Sequence, residues 1–146
     1  MNLQQAVSGG GAAPDGVFAW PVRVYYEDTD VGGVVYYANY LRFMERARTE
    51  YLRDKGFEQD DLMTGEGVMF VVVQVEVTFR KPARFNDMLA VTVDIEDTTR
   101  TSVRFRQDVY RGRVEEGELL VQGLVRGACL DAKTFRPRAI PRAIVE

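Results

Sequence analysis

Apolar residues recur along this chain in two rhythms, and each change of rhythm marks a new element. Between Trp20 and Glu27, Val22, Val24 and Tyr26 alternate with Arg23 and Tyr25, which predicts a short first strand ending at Asp28. From Tyr40 to Lys55 the spacing becomes three and four. Tyr40, Met44, Ala47 and Tyr51 form a stripe widened by Leu41, Phe43 and Leu52, and Arg42, Glu45, Arg46, Arg48, Glu50 and Arg53 fill the other positions. That predicts a helix with one broad buried face, Asn39 as a candidate N-cap and Gly56 as its stop.

After a polar connection around Glu58 to Gly67, period two returns. Met69, Val71, Val73, Val75, Val77 and Phe79 are expected on one face, with Gln74, Glu76, Thr78 and Arg80 opposite. Three further strands follow, through Leu89, Val91, Val93 and Ile95, then Val103, Phe105 and Val109, then Leu119, Val121, Val125 and Cys129. Consecutive strands make an antiparallel meander the default pairing. One helix, a strand before it and four after it give an α+β expectation in which a single sheet wraps one helix. Leu120, Leu124, Ala128 and Leu130 lie out of phase with the inward set, which predicts that another subunit covers part of the outer sheet face. Residues 1 to 16, with Gly9-Gly10-Gly11 and Pro14, read as a flexible tail, and 17 to 146 as a single domain.

Composition narrows the chemistry. The 146 residues carry 19 Lys+Arg against 22 Asp+Glu, so no basic field favours nucleic acid or an anionic membrane. No stretch approaches the roughly 18 apolar residues of a membrane span, and the first 16 residues lack the pattern of a signal peptide. One cysteine, Cys129, permits no internal disulfide and is expected in the core. A cytoplasmic protein is the expectation. The chain has no histidine, so Ser-His-Asp and Cys-His nucleophile systems, His-ligated zinc and imidazole acid/base shuttles are all excluded. Carboxylates, hydroxyls, cations and backbone dipoles remain.

The least ordinary segment is Tyr25-Tyr26-Glu27-Asp28-Thr29-Asp30-Val31-Gly32-Gly33-Val34-Val35-Tyr36-Tyr37-Ala38-Asn39-Tyr40. It sets three carboxylates and two adjacent glycines between a strand end and a helix start, where unpaired N–H groups and a positive dipole end polarise a carbonyl or hold an anion. The glycines allow a ligand close to the backbone. The same residues also suit a plain turn with acidic groups against the helix dipole. Farther on, Arg80-Lys81-Pro82-Ala83-Arg84 places three cations around a proline, fit either to hold phosphates or to protect a sheet edge. Glu45 and Glu50 read as solvated helix charges.

The segment from Tyr25 to Tyr40, continued by Phe43-Met44-Glu45-Arg46-Ala47-Arg48-Thr49-Glu50, resembles the signature of the 4-hydroxybenzoyl-CoA thioesterase family, in its Tol–Pal-associated, YbgC-like acyl-CoA thioesterase branch. The likeness takes in Pro82-Ala83-Arg84-Phe85-Asn86-Asp87-Met88-Leu89 and spans roughly Trp20 to Leu130. It implies the hotdog fold, a five-stranded antiparallel sheet wrapped around one long central helix, assembled as a homo-oligomer, dimer or tetramer. It also implies hydrolysis of acyl-CoA to free acid and CoA without cofactor or metal, with acyl-carrier protein as a possible partner. Asp30, the second Asp of Asp-x-Asp-x-Gly-Gly, matches the family's catalytic aspartate. Tyr37 matches the residue whose backbone N–H faces the thioester oxygen; many members of the branch have His there, but the backbone donor survives any side chain. Gly33, Arg80, Lys81 and Arg84 are the candidate substrate contacts, the cations for the CoA phosphates. A thioester expels a thiolate whose thiol has a pKa of about 8.5, so a general acid is less necessary than for an ester or amide, and Asp30 is expected either to attack the thioester carbon or to orient a hydrolytic water.

Two other readings define contrasts. A hydratase of this fold normally needs a His, which is absent here. A non-catalytic acyl-CoA or acyl-carrier-protein binding module would bind without releasing thiol. A helix carboxylate, Glu45 or Glu50, would serve in place of Asp30 if the chain followed the other thioesterase clade.

Overall fold

The computed structural model describes residues 16–145. The tail read over residues 1 to 16 falls, Gly16 apart, outside them. The elements run β1 (Phe18–Arg23), a 3₁₀ turn (Tyr26–Asp28), α1 (Asn39–Asp54), a short α2 (Gln59–Asp61) continuing into a π turn (Leu62–Glu66), β2 (Val68–Phe79), β3 (Met88–Thr98), β4 (Ser102–Arg111), β5 (Glu118–Asp131) and a final turn of helix, α3 (Arg142–Val145). The five strands form one antiparallel sheet in the order β1-β3-β4-β5-β2.

α1 follows the apolar stripe of the sequence. Phe43, Met44 and Ala47 are wholly buried, with Tyr40 and Leu52 nearly so. Gly56 ends it as expected: at φ 91° it lets the Phe57 N–H turn back 2.8 Å onto the Leu52 carbonyl. The start differs by one residue, because Ala38 is the N-cap and Asn39 the first helical residue, its side chain engaged elsewhere. The helix lies across the concave face against Leu89, Val91, Val109 and Val121. Gly123 in β5 makes the close approach possible, since a Cβ there would fall 2.8 Å from Met44 Cε.

Four expectations are corrected. β1 stops at Arg23 rather than running to Asp28, because Tyr26–Asp28 coils into the 3₁₀ turn. β2 does not join the meander beside β3; it lies beyond β5 at the far edge. The β2–β3 connection, residues 80–87, crosses the ends of β5 and β4 and is pinned there. The Leu120 carbonyl accepts the N–H groups of Arg80 and Lys81, and Arg111 bonds the Pro82 carbonyl and the Asp87 carboxylate. The third correction is the phase of β2. A bulge at Val73 puts Phe70 opposite Cys129 and Val72 opposite Gly127, then Val75 opposite Val125 and Phe79 opposite Val121. The inward set is therefore Val68, Phe70 and Val72 before the bulge and Val75, Val77 and Phe79 after it. A second bulge, in β5, makes Leu120 rather than Leu119 the buried residue.

Gln107 is the one wholly buried polar side chain on the inner face of β4. No helix of the described residues is long and apolar enough to cross a membrane.

Candidate active site

The acidic-glycine segment folds as a narrow two-stranded ribbon leading into α1. Thr29 pairs with Val35, the Tyr36 N–H donates to the Asp28 carbonyl at 2.9 Å, and the Asp30 N–H donates to the Val34 carbonyl at 2.9 Å. At the tip the Gly33 N–H reaches the Asp30 carbonyl, a turn that needs the positive φ of 77° that glycine supplies.

The two aspartates of the motif have opposite surroundings. Asp28 is buried at 5% exposure; Oδ2 accepts the Tyr25 N–H at 2.8 Å and Oδ1 the Asn39 amide at 2.7 Å. Both oxygens are consumed in tying the ribbon to the helix start. Asp30 is exposed, and only Oδ1 is held, by the Gly32 N–H at 2.8 Å. No partner of Oδ2 is found among the described residues.

The helix start is drawn tighter than an α turn. The N–H groups of Asn39, Tyr40 and Leu41 bond the carbonyls of Tyr36, Tyr37 and Ala38. The N–H groups of Tyr37 and Ala38 lie ahead of this ladder, at the positive end of the helix dipole. The ribbon is stitched to the β2–β3 connection: Val35 N–H to the Ala83 carbonyl, Phe85 N–H to the Gly33 carbonyl, and a bridge between Val34 and Arg84. The Tyr40 hydroxyl accepts the Ala83 N–H at 3.0 Å, and burial pushes its phenol pKa up.

A hollow of about 240 Å³ opens beside this junction, lined by Tyr37, Tyr40, Phe79, Arg80, Lys81 and Pro82 among others. It brings Tyr37 together with two of the candidate cations. Arg84 is placed differently, against Gly33 and Val34 at the ribbon, and lines an adjoining hollow with Lys81 and Arg111. Asp30, at the ribbon tip, lines neither. The cations are unequal. Lys81 Nζ pairs with Glu118 at 2.7 Å, and that hydrogen bond is the main cause holding the Glu118 carboxyl below its usual range. Arg80 bonds the Gln122 amide; the Arg84 N–H donates to the Asp87 carboxylate at 2.9 Å, whereas no ion-pair partner of the Arg84 guanidinium is found among the described residues. Arg111, which pairs with Asp87 at 3.0 Å and with Glu118, is a member of this cluster that sequence reasoning missed. Among the described residues no group of three or more His, Cys, Asp or Glu is placed to hold a metal ion.

Residues 24–146 match the family model of the thioesterase-like superfamily. The chain belongs to that superfamily, and its sheet wrapped on one long helix is the hotdog fold. Among individual relatives, it is 47% identical over 129 residues to the acyl-CoA thioester hydrolase YbgC of Escherichia coli O6:H1, a match covering 88% of this chain and 93% of that protein. It is 39% identical to the acyl-CoA thioesterase YbgC of Haemophilus influenzae, over 89% of this chain and 93% of that one. The crystal structure of a probable thioesterase from Bartonella henselae has a TM-score of 0.79 to it at 34% identity, covering 86% of this chain and 99% of that one.

Proposed function

We propose that this protein, a thioester hydrolase by family, cleaves acyl-CoA to free acid and CoA in the cytoplasm, with Asp30 as the reacting carboxylate and the Tyr37 N–H as oxyanion donor. The observation that carries this reading is the division of labour in Asp-x-Asp-x-Gly-Gly. Asp28 is fully engaged in holding the helix start, and Asp30 keeps one oxygen unengaged.

Asp30 Oδ2 attacks the thioester carbon, the C–S bond breaks, and CoA leaves as the thiolate. The resulting mixed anhydride is opened by water, which regenerates the carboxylate and releases the acid. The negative charge that develops on the carbonyl oxygen is met by the Tyr37 N–H and the start of the α1 dipole. Gly33 leaves the ribbon tip open to the pantetheine arm, while Arg80, Lys81 and Arg84 face the CoA phosphates.

The enzyme acts as a homo-oligomer built on the free edge of β2. That edge presents Val72 and Val73 about half exposed over a strand with no Pro, no Lys and one charge, Glu76, an arrangement that invites pairing with another strand. A second copy joined antiparallel there sets the Phe79 end of one β2 toward the Phe70 end of the other.

Thiol release from a panel of acyl-CoAs and acyl-carrier-protein thioesters tests the activity. Stoichiometry well above one thiol per protein is expected. Saturable binding without release would make the protein a binding module instead.

A further inference from the structure

A second cleft, of about 380 Å³, lies at the other end of β2 from Tyr37, between the middle of α1 and the strands β2, β4 and β5. Leu52, Phe70, Phe105 and Ile144 give it apolar walls, and one cation, Arg48, enters it. Gln107 sets the direction of that cation. Its amide nitrogen donates to two backbone carbonyls, Met44 at 3.0 Å and Thr92 at 3.4 Å, so the amide cannot be turned round. Its oxygen therefore faces Arg48 and accepts Nη1 at 2.8 Å. Gln107 is wholly buried and spends both donors and its acceptor on this arrangement.

Arg48 is left with one neutral hydrogen bond and no ion-pair partner among the described residues. Glu45 lines the same cleft without reaching ion-pair distance. Burial draws the guanidinium pKa down, against the pull of Glu45. A guanidinium in an apolar cleft is costly unless an anion meets it. A plain alkyl end filling the cleft would strip its remaining water and return no hydrogen bond. A carboxylate would return two.

We propose that Arg48, oriented by Gln107, receives a carboxylate at the far end of the acyl group, so that the preferred substrates are CoA thioesters of dicarboxylic acids. This rests on the hydrolase reading and on the antiparallel pairing of two chains through β2, which sets the Phe79 end of one strand, where Tyr37 packs, toward the Phe70 wall of this cleft in the other copy. Arg48 is then a specificity residue remote from the bond that breaks.

The test compares kcat/KM for glutaryl-, adipoyl- and suberoyl-CoA with the unbranched alkanoyl-CoA of equal carbon number. The wild type is expected to favour the diacid member at one or more lengths. Arg48→Met is expected to lower kcat/KM for that member by about 10- to 100-fold while leaving the alkanoyl member unchanged or raised, which also shows that the variant folds. Arg48→Lys, which keeps charge without the planar fork, should lose several-fold in the same ratio. Gln107→Met should act in the same direction through KM rather than kcat, as a positioning residue would. A wild-type ratio of one or less at every length, or a ratio unmoved by Arg48→Met, overturns the proposal. Calorimetric binding of free adipate against hexanoate separates this from failure of the hydrolase reading. Tighter adipate binding that is lost in Arg48→Met supports the site even if no thioester is cleaved, and equal binding of the two acids contradicts it.

Discussion

Asn39 Nδ2 donates a 2.7 Å hydrogen bond to Asp28 Oδ1, joining the first residue of α1 to a carboxylate eleven positions earlier, with both side chains buried. The other Asp28 oxygen holds the Tyr25 N–H, so this one carboxylate fixes the angle at which the ribbon enters the helix. Asp28→Ala leaves the Asn39 amide and the Tyr25 N–H without their acceptor, a loss of about 2 to 3 kcal/mol. Chemical denaturation should show that loss, together with reduced turnover through misplacement of Asp30 and Tyr37.

Tyr37 acts in the proposed mechanism through its backbone alone. Tyr37→Ala and Tyr37→His should therefore stay within a few-fold of wild-type kcat. Tyr37→Pro removes the N–H and should cost about 100- to 1000-fold, the usual effect of deleting one oxyanion donor. Steady-state thiol release on a folded variant, verified by its circular dichroism, makes the comparison.

Asp108 supplies a pH signature unrelated to catalysis. It sits on the outer face of β4 with Oδ1 buried and unpartnered among the described residues, and Oδ2 3.5 Å from Arg106. Burial raises its pKa from 3.8, against the opposing pull of Arg106 and the Gly123 backbone. The folded state thus binds this proton more tightly than the unfolded state. Its favourable contribution is complete below about pH 3.8 and is lost as pH rises through the displaced value. Asp108→Asn should be more stable than wild type at pH 7 by about 1 kcal/mol. The advantage should vanish at pH 3, as read from denaturation midpoints at the two pH values.

The β2 edge gives a prediction about assembly. Val73 is the bulged residue and is 56% exposed. Val73→Lys places a charge where a second chain would pair, and light scattering should show a shift from oligomer to monomer mass. Activity should fall with it, since the proposed acyl cleft belongs to the partner.

α1 was legible almost to the residue because a stripe at spacing three and four, closed by Gly56, has no second interpretation. β2 was legible as a strand but not in phase. The six residues from Val68 to Val73 are all apolar and leave either face equally apolar there, so nothing in the residues announces the bulge at Val73. β1 was overrun because Tyr25 and Tyr26 continue the alternation, while the turn that ends the strand depends on Asp28 reaching back to the Tyr25 N–H. Strand order was misjudged for a similar reason: the pins that carry residues 80–87 across β5 and β4 come from the Leu120 carbonyl and Arg111, both remote in sequence. At the candidate site, Asp30, Gly33 and Tyr37 were nominated through the family resemblance of their segment. The buried duty of Asp28 was not, since two aspartates two residues apart look alike until one acquires an amide partner. Gln107 left a faint signal, a polar residue at an inward position between Phe105 and Val109, and Arg48 left none among the helix charges.

The central claim is that Asp30, and neither Asp28 nor a helix carboxylate, carries hydrolysis. Turnover of a saturating acyl-CoA by Asp30→Asn, followed by thiol release beside Glu45→Gln and wild type, addresses it directly. Loss of at least about 1000-fold in kcat for Asp30→Asn, with an unchanged melting temperature and near-normal Glu45→Gln, is the predicted result. Hydrolysis by Asp30→Asn within ten-fold of wild type would contradict it.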